Sequence, residues 1–325
     1  MKKEELKQQL EEASKHIEIK GEKPLMKSKE QIEAEKSIEA WKKEKHKQIY
    51  QKEFIIPNQL LQAIVFTKEY NGMILYGEGG IGKTFMTLNS IKKFLKPNEW
   101  EYSNGYTTPL ALYELLYKHR DKKVIILDDV EGVFNNPLSI SILKGGLWDS
   151  DGKRIVQYKS KSKIVDDLPS AFVLGAKIII LCNSIPHEND VSIRAMISRT
   201  IAYKMVFSYE QKLNLCNQFI DQRNDLTKKQ KDKAKQLLID YTNEATKDFS
   251  FRTIKKAITF IKYNGRKAEE VFEATTQKDE VKHAYLQAVK GTLNIKAQIM
   301  LFEQYCGRGR RTFFRVKREM SDKVT

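Results

Sequence analysis

Three short apolar runs stand out along the chain: Gly72-Met73-Ile74-Leu75-Tyr76, Val124-Ile125-Ile126-Leu127 and Ala176-Lys177-Ile178-Ile179-Ile180-Leu181-Cys182. Runs of this length, nearly free of polar alternation, mark strands buried on both faces, as in a parallel sheet. Between them apolar residues recur at helical spacing, as from Phe85 to Phe94. Alternating strand and helix patterns over residues 55–205 predict a parallel sheet with helices on both faces. From 208 to 275 the pattern is helical throughout. Capping boxes open helices at Ser208-Tyr209-Glu210-Gln211 and Thr227-Lys228-Lys229-Gln230, and Asn264-Gly265 closes one. Near the C-terminus Ile295, Ile299 and Phe302 share one helical face, and a turn follows at Cys306-Gly307-Arg308-Gly309. In the next helical run, Phe313, Val316 and Met320 fall opposite Arg311, Arg315 and Arg318.

The first apolar run leads directly into Gly77-Glu78-Gly79-Gly80-Ile81-Gly82-Lys83-Thr84, a complete G-x-x-x-x-G-K-S/T phosphate loop. Its glycines let backbone N–H groups curl around phosphate oxygens without Cβ atoms in the way. The helical pattern from Phe85 puts that loop at a helix N-terminus, where free N–H groups and the helix dipole attract anions. Lys83 is the expected partner of the β- and γ-phosphates, and the Thr84 hydroxyl that of Mg²⁺. The second apolar run ends in Asp128-Asp129, carboxylates at the C-terminal edge of a buried strand beside the loop. Asp128 is the candidate Mg²⁺ ligand and Asp129 the candidate base, with Glu131 an alternative. Asn183, at the end of the third run, can hydrogen-bond a γ-phosphate or the attacking water.

These motifs, in this order, resemble the AAA+ ATPases over residues 55–275. Met196-Ile197-Ser198-Arg199-Thr200 is similar to the family's Ser-Arg signature, which implies an arginine finger at Arg199, with Arg194 as the alternative. Asp248-Phe249-Ser250-Phe251-Arg252-Thr253-Ile254 looks like its sensor 2 region, which places Arg252 in the lid. Where many relatives carry Glu, this chain carries Asp129. The resemblance implies ATP and Mg²⁺ as cofactors, a ring-like or helical homo-oligomer, hexamer-like in size, and a task on DNA. Within the family the pattern, with Asn183-Ser184-Ile185-Pro186, looks like phage- or plasmid-encoded replication ATPases, which implies a replication partner protein. The expected organisation is a P-loop α/β core over 51–206 and an all-helical lid over 207–276. A small basic helical region, helix-turn-helix-like, follows over 277–325, and a charged helical or partly disordered arm precedes over 1–50.

Composition adds the substrate class. The 325 residues carry a formal charge of +16, which points to a polyanion. The last 45 residues alone hold ten lysines and arginines against three acids. This makes Arg308, Arg311, Arg315 and Arg318 candidate DNA contacts. A second basic stretch, Lys153-Arg154-Ile155-Val156-Gln157-Tyr158-Lys159-Ser160-Lys161-Ser162-Lys163, follows the tight-turn dipeptide Asp151-Gly152. An extended strand there would project alternate basic residues to one side, which adds Lys153, Arg154, Lys159 and Lys161, with Trp148 and Tyr158 as stacking platforms. A solvent-exposed surface hairpin is the alternative. No apolar stretch is long enough to span a membrane. The three cysteines fit neither a metal nor a disulfide pattern, as expected of a cytoplasmic protein.

Overall fold

The computed structural model describes residues 54–105, 107–149, 151–158, 168–263, 265–291 and 294–321. The N-terminal arm and the candidates Lys159 and Lys161 lie outside the described residues. The strands are β1 (Gly72–Gly77), β2 (Trp100–Asn104), β3 (Val124–Asp128), β4 (Ile155–Gln157), β5 (Ala171–Val173), β6 (Lys177–Cys182) and β7 (Ile201–Met205). Five of them form one sheet in the order β2-β3-β6-β1-β7, every pair parallel. The remaining two, β4 and β5, pair antiparallel by themselves.

Side chains alternate across each strand, and both faces of this sheet are buried. Ile74, Ile125, Leu127, Ile178, Ile180 and Cys182 face one core. It is completed by α3 (Pro109–Lys118), α4 (Glu131–Phe134), α5 (Pro137–Leu147) and α6 (Val191–Ile197). Their strand neighbours Met73, Leu75, Ile126, Ile179 and Leu181 are fully buried too. On that side α1 (Ile55–Phe66) packs on β1, β7 and α2 (Lys83–Phe94). Burial on both faces is why these strands read as unbroken apolar runs.

The chain then becomes all helical, as expected. The lid helices α7 (Tyr209–Asp221), α8 (Lys228–Tyr241), α9 (Phe251–Tyr263) and α10 (Ala268–Thr275) share a second core around Leu238, Ile258 and Phe272. Both capping boxes form: Gln211 N–H donates to Ser208 Oγ at 3.2 Å, and Gln230 N–H donates to Thr227 Oγ1 at 3.3 Å. A third core, around Phe302, Phe313 and Val316, joins α11 (Glu280–Gly291), α12 (Ile295–Cys306) and α13 (Arg310–Ser321). The turn between α12 and α13 begins at Gly307 in the left-handed region, φ 65°.

Candidate nucleotide site

Strand order decides which chain ends meet. Because β6 lies between β1 and β3, its terminal Asn183 stands between the loop after Gly77 and the acids after Leu127. The loop glycines are required by space as well as by φ. Gly77 has φ 149° and a Cβ there would lie 2.3 Å from Met205 O. At Gly80, φ 75°, a Cβ would lie 2.8 Å from Ser250 Oγ. Lys83 is buried, and its Nζ donates to Gly77 O at 2.7 Å, Glu78 O at 2.8 Å and Asn183 Oδ1 at 3.1 Å. Thr84 Oγ1 donates to Asp128 Oδ2 at 2.8 Å. Asp129 is exposed and takes a left-handed backbone, φ 53°, its N–H donating to Leu181 O. Asp tolerates that region better than most residues, and such strain gathers at functional sites.

Tyr102 is a member of the site that the sequence pattern did not reveal. From β2 its hydroxyl donates to the same Asp128 Oδ2 at 2.9 Å and accepts from Asn104 Nδ2 at 3.0 Å. Burial, and next the hydrogen bond to the Asp128 carboxylate, push the Tyr102 pKa up, so the phenol stays a donor. Asp128 thus receives two hydroxyl donors on one oxygen.

The lid closes on the loop. Phe251 N–H donates to Gly80 O at 3.1 Å, and Lys212 of α7 forms an ion pair with Glu78. Phe85, exposed on α2, meets Phe219 at 5.7 Å, which in turn meets Phe251 at 5.2 Å. Glu78, Gly79, Lys212, Ser250 and Arg252 line a cavity of about 850 Å³ between loop and lid. A glycine cradle, one buried ammonium and a hydroxyl–carboxylate pair fit a nucleoside triphosphate with a hard divalent cation. Thr84 and Asp128 are the residues that would hold the metal.

No protein-family profile matches the chain, and no curated protein sequence does. Solved structures with a similar fold include a point mutant of Thermotoga maritima RuvB, 12% identical, covering 81% of this chain and 85% of that one at TM-score 0.48. Another is Cdc6p from Pyrobaculum aerophilum, 13% identical over 85% and 87% of the two chains at TM-score 0.45. The Orc1 protein of Aeropyrum pernix in complex with DNA is 12% identical over 83% and 81% at TM-score 0.44. These likenesses are loose. The phosphate loop after β1, the acid-ended β3 on the far side of β6 and the helical lid docked on the loop define the architecture. It is a P-loop α/β fold with a helical region docked on the loop.

Within this fold the remaining candidates separate. Arg252 reaches the loop from α9. Arg199 does not. It precedes β7, whose Met205 is level with Gly77 and whose Ile201 is level with Met73. Four residues of strand, about 13 Å, therefore hold it away from the loop of its own chain. Arg194, exposed on α6, lies on the segment leading to that same end. The backbone of Glu131 opens α4 beside Asp129.

The DNA candidates divide as well. Arg154 is a correction: it is buried, donating to Gly146 O at 3.1 Å, Ala176 O at 2.7 Å and Gly175 O at 2.5 Å. It clamps the end of α5 to the link before β6, so it offers no surface to DNA. Tyr158 is packed 5.3 Å from the Tyr113 ring and is no free platform. Of the expected extended segment, β4 covers Ile155–Gln157, and residues 159–163 lie outside the described residues. Lys153, Trp148, Arg308, Arg311, Arg315 and Arg318 are exposed. Among the described residues no helix is long and apolar enough to cross a membrane.

Proposed function

We propose that the chain is a Mg²⁺-dependent ATPase that acts on DNA as an assembly of several copies, a motor or loader in replication. The observation that carries this reading is the convergence of Lys83 Nζ, Asn183 Oδ1 and the Thr84–Asp128 pair at one point of the sheet edge. When bound by Thr84 and Asp128, Mg²⁺ would supply charge neutralisation to the triphosphate. Lys83 turns its ammonium from loop carbonyls to phosphate oxygens. Asp129 accepts a proton from the attacking water, and Asn183 orients that water through its amide. Glu131, two residues on, is the alternative base. Arg252 brings the lid's positive charge to the triphosphate, and Arg199 serves the site of a neighbouring copy. DNA is the partner that the basic outer face of α13 supports, with Arg311, Arg315 and Arg318 on its exposed side and Arg308 in the turn before it.

Binding of a fluorescent ATP analogue tests the core of this. Lys83→Ala removes charge-assisted hydrogen bonds worth roughly 1.5–3 kcal/mol each, so affinity should fall at least about tenfold. Asp129→Asn keeps a residue that accepts positive φ and should bind ATP normally while hydrolysis drops about 10²–10⁴-fold. Near-normal affinity in Lys83→Ala would sink the reading. If Glu131→Gln stops turnover and Asp129→Asn does not, the base is Glu131. A second reading, an ATP-switched DNA-binding scaffold, draws on Asp129 standing where many relatives of the resembled family carry Glu. Turnover in wild-type protein that stays slow with saturating DNA would favour it.

A further inference from the structure

At the opposite edge of the sheet from the phosphate loop, Trp148 leaves the end of α5 with 56% of the residue exposed. The Arg199 guanidinium lies over the indole, 4.9 Å from the ring centroid. A guanidinium against one face of an indole is a favourable cation–π contact, and it holds the ring in place. The exposed remainder of the ring opens onto a cavity of about 310 Å³ lined by Ser141, Lys144, Lys153 and Gln157 as well as Trp148 and Arg199. That volume is at the low end of the range of small-ligand pockets, about 300–1,000 Å³. Among the described residues no carboxylate lines it. None of its three cations is ion-paired with a described acid. Of the two acids close in sequence, Asp149 accepts the Gly152 N–H at 2.7 Å and so serves the turn, and Asp151 is an exposed residue of that same turn.

An indole held from one side by Arg199, with two lysines lining the same cavity, is the arrangement of a stacking platform beside backbone-binding cations. We infer that this pocket binds single-stranded nucleic acid, one base stacking on Trp148 while Lys144 and Lys153 take the flanking phosphates. An unstacked base offers a π-face to the indole, which a base inside a duplex does not, and the two lysines need only a backbone. The site is distinct from the basic face of α13, whose arginines belong to another core and suit duplex DNA. It rests on the reading that the chain acts on nucleic acid, and it specifies strandedness.

The test uses full-length protein and dye-labelled oligothymidylate of about 20 nucleotides, an oligouridylate of equal length and a duplex of equal length, followed by anisotropy. Base stacking is worth about 1–3 kcal/mol by alanine substitution, so Trp148→Ala should lose roughly 5- to 150-fold in affinity for the single strands. Trp148→Phe keeps an aromatic platform and should lose less. Each lysine changed to alanine should flatten the slope of log affinity against log salt by about 0.7. Of the three tryptophans, Trp148 is expected to carry the strand-dependent quenching of intrinsic fluorescence, which should vanish in Trp148→Phe. Comparable binding of thymidylate and uridylate assigns the site to single strands of either sugar. Wild-type single-strand affinity in Trp148→Ala, or quenching that survives in Trp148→Phe, overturns the inference. If the protein binds duplex but no single strand, this inference falls while the DNA reading stands, and if it binds neither, both fall.

Discussion

Residues at the sheet edge were unequally legible. Gly77 to Thr84 and Asp128 announce themselves because a phosphate loop and an acid at a strand end have fixed local chemistry. Tyr102 does not, because its role depends on β2 lying beside β3, level with Asp128 through Asn104. Arg154 misleads for the converse reason: in sequence it belongs to a basic run, yet in space it donates to three carbonyls inside the protein. If Tyr102 positions Asp128, then Tyr102→Phe removes one of two donors on Oδ2 while leaving the ring's volume. Partners of this kind typically change metal affinity about 10–100-fold. The Mg²⁺ concentration at half-maximal hydrolysis should therefore shift, with nucleotide affinity in the absence of metal unchanged. An unaltered Mg²⁺ titration would leave the phenol as no more than a strand-edge hydrogen bond.

Among elements, the sequence pattern served the centre of the sheet better than its rims. The strands β1, β3 and β6 are covered on both faces and read as apolar runs, whereas β2, Trp-Glu-Tyr-Ser-Asn, and β7, Ile-Ala-Tyr-Lys-Met, are the two edges and carry mixed residues. An edge strand is defined by its neighbour's hydrogen bonds more than by its own composition. Helix ends were legible because capping is local, as the boxes at Ser208 and Thr227 demonstrate. The amphipathic reading of α13 holds in space: Phe313, Val316 and Met320 are buried against α11 and α12, and Arg311, Arg315 and Arg318 are exposed. Of these three, Arg315 is held internally, by Glu319 at 3.0 Å. That i,i+4 pair is worth a few tenths of a kcal/mol and yields to a phosphate. Replacing the three arginines by alanine should flatten the salt slope for duplex DNA by about 0.9 for each phosphate they neutralise, with little change in melting temperature. An unchanged slope would move the duplex-binding surface elsewhere.

At the scale of the whole molecule, the two ends of the parallel sheet carry different machinery. The carboxyl edge gathers Lys83, Thr84, Asp128, Asp129 and Asn183 under the lid, while the amino edge carries Trp148, Lys153 and Arg199. Because β7 keeps Arg199 about four strand residues from the loop level, this arginine can serve a triphosphate only on another copy of the chain. That makes its role testable without knowing how many copies assemble. Arg199→Ala subunits retain a base but give no finger, and Asp129→Asn subunits give a finger but lack a base. Each homogeneous assembly should hydrolyse ATP at least about 10²-fold more slowly than wild type, since a developing phosphoryl charge or a proton is left unattended. In a mixture, wherever an Arg199→Ala subunit supplies the site and an Asp129→Asn subunit stands beside it, both groups meet. Hydrolysis should then rise with mixing and peak near equal proportions. A flat profile at every ratio, with co-assembly verified by light scattering, would mean that Arg199 serves no neighbouring site, and its packing on Trp148 would remain as its function.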